Sequence, residues 1–182
     1  MTIRSVRLMT AMVGILAASG AVVASFLTWL MLPDGAGGTT YVSGWGAISG
    51  GSQIAGQNIN DALNGNATFT PGTLAVVIGV AALLAALGLA LVARGRQPHR
   101  IPAALLTLCG LGGLTFGVIR GLSPDSIGLL EPGQGSNGPG PWLLAGCSVV
   151  MLAAAAVVFV GVLDPPKPIR GSGQKRPSLR HR

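Results

Sequence analysis

Four uncharged apolar runs decide what this chain can fold into. Residues 8–32 hold 25 positions without a charge, 73–93 hold 21, 101–119 hold 19 and 142–163 hold 22. A helix rises about 1.5 Å per residue, so each run is long enough to cross a hydrocarbon layer of roughly 30 Å. Soluble buried helices seldom run so far without a charge. The expected fold is an all-α membrane protein, a four-transmembrane-helix bundle with helices near 8–32, 73–93, 101–121 and 142–163. The bundle occupies 1–164, and 165–182 form a basic tail that buries no apolar area and stays disordered.

Composition agrees. Apolar residues are 49% of the chain and charged residues 9%, where about a quarter is usual. With 29 glycines and many alanines, much of the apolar fraction is small side chains, which pack membrane helices closely. The net charge of +7 invites a nucleic-acid reading, but its placement follows topology. All but one of the Lys and Arg residues lie in the N-terminal arm (Arg4, Arg7), in the segment from Arg94 to Arg100, or in the tail from Lys167. Asp34, Asp61, Asp125 and Glu131 lie in the other two connections, with Arg120 the single base there. By the positive-inside rule both termini are cytoplasmic, in a bacterial inner membrane. The competing reading of the first run is a cleaved signal peptide ending near Ala24-Ser25, which would leave three helices. The run continues through Trp29 to Leu32, beyond a usual signal core, and Trp29 and Trp142 fall where interfacial anchors are expected.

The first outer connection, 33–71, is rich in Gly, Ser, Thr and Asn. It also carries Tyr41, Trp45 and Ile48, too apolar a set for a plain linker. It reads as a small cap on the outer face, with a short strand at 39–43, one helical turn near 58–63 and a turn at Asn64-Gly65. The second, 121–141, is Gly- and Pro-rich and reads as irregular.

Gly113, Gly117 and Gly121 form a GxxxGxxxG stripe on the third helix. Residues four apart share a helix face, and glycine there admits a neighbouring backbone. Such a face packs the protein's own bundle or docks another protein or a second copy. Cys109 and Cys147 differ in depth by on the order of 10 Å, beyond the reach of a disulfide. Arg120 sits at the outer boundary, where its stem snorkels to water near Asp125 or Glu131, or else serves an anion or partner site.

Several chemistries lack their residues. No acid or histidine lies inside a helix, as proton-coupled transport requires, and the first-helix glutamate of small multidrug exporters is missing. No cluster has metal-ligand spacing, no cofactor motif occurs, and no general base stands near an outer serine. The tail lacks the aromatic residues that stack on bases, so anionic lipid is its expected partner and nucleic acid is not. Ser178 after Lys175-Arg-Pro and the sequon at Asn66 are short chance-level patterns.

A first helix ending Trp29-Leu-Met-Leu-Pro33, an outer loop with Ser43-Gly-Trp45-Gly, and three further helices resemble uncharacterised four-helix membrane proteins of actinobacteria. The layout also loosely resembles that of claudins, whose tryptophan-bearing first outer loop forms a small sheet. Claudins carry a cysteine pair in that loop and this chain has none there, so adhesion or pore formation is not implied. The expected function is non-enzymatic: an accessory or scaffold subunit of a cell-envelope or membrane complex. Its contacts would be the glycine stripe and the outer cap, toward a protein partner or a homo-oligomer. The alternative is a small transporter or channel lined by Thr107, Thr115 and Ser148.

Overall fold

The computed structural model describes residues 3–33, 37–51, 54–63, 68–92, 100–123 and 135–160. The tail, the segment 93–99, and Asp125 and Glu131 fall outside the described residues, and with them the expectations placed there. In chain order the elements are α1 (Ile3–Ala24), β1 (Thr28–Pro33), β2 (Thr39–Ser43), β3 (Ile48–Gly50), α2 (Ile59–Ala62), α3 (Pro71–Val92), α4 (Arg100–Leu122), β4 (Ser136–Asn137) and α5 (Pro139–Phe159). The protein is mostly helical with one small sheet. Among the described residues three helices, α3, α4 and α5, are long and apolar enough to cross a membrane, and the apolar part of α1, Leu8–Ala24, is shorter.

The expected helix over 8–32 is thus corrected. It stops at Ala24, and its last third becomes β1. Hydropathy cannot separate the two outcomes, because a short apolar run suits either a helix or a strand. Partners decide. β1 pairs antiparallel with β2 on one side and β4 on the other, so its backbone groups are satisfied by neighbours. The expected irregular connection before residue 142 is also corrected, since α5 already starts at Pro139. Prolines suit a first helical turn, where an N–H would have no helical partner anyway. The strand over 39–43 and the turn of helix near 58–63 are present. Asn58 caps the latter by accepting from the Asn60 N–H at 3.0 Å.

The long helices close into a ring in which α1 and α4 each pack on both α3 and α5. Small residues make up much of its interior, around a few large ones, Leu106, Leu144 and Met151. Ala11, Ala18, Ala21, Ala75, Ala82 and Ala103 are wholly buried, while Leu16, Leu84, Leu91 and Ile101 are 65–71% exposed. Water would penalise that arrangement by roughly 25 cal/mol for each Å² of apolar surface left outside. Lipid chains are as apolar as leucine and impose no such penalty, so there small residues serve inside, where backbones meet.

At one end the sheet, in the order β3-β2-β1-β4, joins the connection between α1 and α3 to that between α4 and α5, because β4 comes from the latter. Ile48, Val42, Leu30 and Asn137 stand opposite one another in one row, and Ser49, Tyr41, Met31 and Ser136 in the next. Successive strand residues face opposite sides. The first row accordingly faces the bundle, with Leu30, Val42 and Ile48 buried, and the second faces away.

Candidate functional site

The sheet end of the bundle brings together most of the residues singled out in the sequence. Its centre is Trp29. Opposite residues on β1 and β2 are Thr28 with Ser43 and Leu30 with Val42, so Trp29 is an extra residue, a bulge. A bulge re-aims side chains, and here both Trp29 and Leu30 turn inward. The Trp29 indole N–H donates to the Ala24 carbonyl at 2.8 Å, a second and shorter bond to an acceptor near the end of α1 that also takes the Leu27 amide at 3.3 Å. Its ring lies 5.7 Å from that of Phe116 on α4. A methyl group on Gly140 would come within 2.5 Å of the indole nitrogen, and one on Gly44 within 2.8 Å. Trp29 therefore does not float at a boundary as an anchor. It is 3% exposed and links α1, the sheet, α4 and the start of α5.

Of the three cap residues, Tyr41 is 39% exposed on the outward row and Trp45 is 37% exposed, whereas Ile48 is buried against the bundle. Trp45 follows Ser43, whose hydroxyl accepts from the Trp45 and Ala47 amides at 3.3 and 3.1 Å. Gly46 completes that turn at a φ of 81°, a region glycine enters without strain. The Trp45 ring lies 6.0 Å from exposed Phe26, and its N–H donates to the buried Ser25 hydroxyl at 3.3 Å. Both rings are thereby held at the rim of the sheet.

The glycine stripe is occupied internally. Gly113, Gly117 and Gly121 are buried, as is Gly110, and all face α5. A methyl group on Gly117 would lie 2.7 Å from the Pro141 carbonyl oxygen and 2.9 Å from the Ala145 nitrogen. One on Gly121 would lie 3.0 Å from the Trp142 ring, and one on Gly113 would collide with the Ser148 hydroxyl. Trp142 itself is 48% exposed beside that contact. The hydroxyls named for a transport path do not converge. Ser148 is buried and donates to Leu144 of its own helix at 2.8 Å, Thr107 donates to Ala103 at 2.9 Å, and Thr115 faces outward. Cys109 and Cys147 are free thiols; a methyl group on Gly20 would meet the Cys147 sulfur at 2.6 Å.

Arg120 lies where α4 approaches the sheet, half-buried, with its guanidinium carbon 5.6 Å from the centroid of the Phe116 ring. It borders a cavity of about 220 Å³ that Thr68 and Thr70 also line, with Phe69, Pro71, Leu74 and Phe116 as walls. Known families, curated proteins and solved structures offer no match to this chain. The site is therefore read from its own chemistry.

Three asparagines that the sequence reading passed over hold the site in place. Asn60 accepts from the Phe69 amide at 2.6 Å and donates to the Phe69 carbonyl at 3.2 Å. Asn58 donates to the Trp45 carbonyl at 3.1 Å. Asn137 donates to the Gly121 carbonyl at 2.7 Å near the end of α4. Asn58 carries a visible helix-start signal. For Asn60 and Asn137 no local pattern exists, because their partners are 9 and 16 residues away.

Proposed function

We propose that the chain is a four-span protein of a bacterial inner membrane, with both termini in the cytoplasm. It acts without catalysis as an accessory or scaffold subunit of a cell-envelope complex. The observation that carries this reading is the outward row Ser49–Tyr41–Met31–Ser136, continued at the rim by Trp45 and Phe26. It is a braced surface, built from two separate connections and locked to the helices through Trp29. A loop needed only to join two helices requires no such bracing. The glycine stripe is withdrawn from the contact surface, since α5 fills it, so the partner is met at the sheet. A span by α1 is supported by its packing alongside α3 and α5, and the orientation by the segregation of basic residues.

The test is affinity purification of the tagged chain from its native membrane after crosslinking, with mass spectrometry of what accompanies it. A stoichiometric partner lost on Tyr41→Ser with Trp45→Ser is expected, and kept on Gly112→Ala, where an added methyl group would point into open space. Recovery of the chain alone, uncrosslinked, ends the proposal. For orientation, a cysteine introduced by Ser49→Cys is expected to react with a membrane-impermeant thiol reagent in intact cells. Reaction only after lysis would invert the topology.

A further inference from the structure

The cavity beside Arg120 has a composition that a mere helix boundary does not need. We propose that it holds the phosphate of an anionic phospholipid from the leaflet adjoining the sheet, with Arg120 as the cation and Thr68 and Thr70 as hydroxyl donors. The proposal rests on the membrane-spanning reading above.

Three features converge on one small volume. The cation is positioned rather than loose. Arg120 lies over Phe116, Phe116 packs against Trp29, and Trp29 is buried and tied to the end of α1. Arginine held on an aromatic face keeps its fork of N–H donors in a set plane, which suits phosphate oxygens. The hydroxyls are positioned too. Asn60 clamps both backbone groups of Phe69, Phe69 is 2% exposed, and its neighbours Thr68 and Thr70 lie exposed along the cavity. Pro71 then opens α3 at the same place, and the start of a long helix carries about half a positive charge.

Size and walls select the class of ligand. At about 220 Å³ the cavity is smaller than the roughly 300–1,000 Å³ that encloses a drug-sized molecule. It takes a head group, not a whole solute. Leu74 and Phe116 offer apolar surface beside the charge, as the glycerol and first methylenes of a lipid require.

The full-length chain, purified in mild detergent, is titrated with phosphatidylglycerol, with phosphatidylcholine, and separately with inorganic phosphate. Native mass spectrometry and thermal unfolding are the readouts. Phosphatidylglycerol is expected to be retained over phosphatidylcholine and to raise the melting temperature. Arg120→Gln should weaken its retention by about tenfold or more, the ordinary worth of a charge-assisted hydrogen bond, and Arg120→Lys should lose less. If Arg120→Gln does not fold, the double change Thr68→Val with Thr70→Val reads the same site with a smaller loss. Undiminished retention in both variants overturns the proposal, as does equal retention of phosphatidylcholine. Inorganic phosphate giving the same Arg120-dependent stabilisation would assign the cavity to a soluble anion and overturn the lipid. The isolated chain is used, so failure here leaves the accessory role standing. Extraction of the chain from membranes by alkaline carbonate would instead end the spanning reading.

Discussion

The helix ring and the sheet that closes one end of it are held by opposite means. In the ring, stability comes from side chains that are missing: where α4 meets α5, Gly110, Gly113, Gly117 and Gly121 let one backbone lie against the other. In the sheet it comes from particular side chains reaching particular atoms, as Asn60 does toward Phe69 and Trp29 toward Ala24. A helix satisfies its own backbone and needs only contact, whereas strands and turns leave donors and acceptors that something must meet. Substitutions should therefore fail differently in the two regions: by crowding in the ring, and by orphaned polar groups or voids in the sheet.

The largest effect is expected from Trp29→Ala, because that ring belongs to both regions. Emptying a buried tryptophan site costs about 3–5 kcal/mol. Thermal unfolding in detergent should shift sharply, with the sheet and the ends of α1 and α5 loosening together. Loss of the sheet alone, with an unchanged ring, would show the regions to be independent and break the comparison. Gly117→Ala comes next. The added carbon meets main-chain atoms of α5 that cannot turn aside, and overpacking of this kind costs about 1–3 kcal/mol. Gly117→Leu should lower recovery of folded protein by fluorescence-detected size exclusion. A freely tolerated leucine would mean that α4 and α5 do not approach as described.

Asn60→Ala is expected to cost about 1–2 kcal/mol, from two lost bonds to the backbone of one residue, Phe69. Here the damage should stay local. Hydrogen exchange would speed up at Phe69 and the start of α3 and remain slow along α4 and α5. Faster exchange throughout would erase the distinction between a polar-bonded sheet and a contact-packed ring. The smallest effect, within about 0.5 kcal/mol, is expected for Gly112→Ala, one residue from the stripe but with nothing within 4 Å. A large destabilisation there would place a contact where the structure has open surface.

Much of the ring was legible in the chain. Three uncharged runs correspond to α3, α4 and α5, and the spacing of Gly113, Gly117 and Gly121 marked a packing face. The spacing could not name the neighbour. An apolar stripe fits the bundle's own helix or a foreign one equally well, and only the placement of Pro141, Ala145 and Ser148 against it shows that α5 takes the position. The candidate site was legible in pieces. Tyr41, Trp45 and Arg120 stood out as aromatic or charged residues in or beside the connections between helices. Phe116, Thr68 and Thr70 did not, since the cavity they line with Arg120 joins parts of the chain about 50 residues apart.

The sequence by itself determined that long stretches of this chain prefer an apolar surrounding, that small residues line particular helix faces, and on which connections the charges sit. These follow from side-chain chemistry and a fixed helical period, both local properties. The fate of residues 25–33 was decided by tertiary structure alone. Their hydropathy continues that of α1 without a break, and hydropathy measures the preference for leaving water, not the shape the backbone takes on leaving it. They became a turn and a strand because Thr39–Ser43 and Ser136–Asn137 were available to pair with them, and because Trp29 could turn inward to close the end of the helix it had been expected to extend.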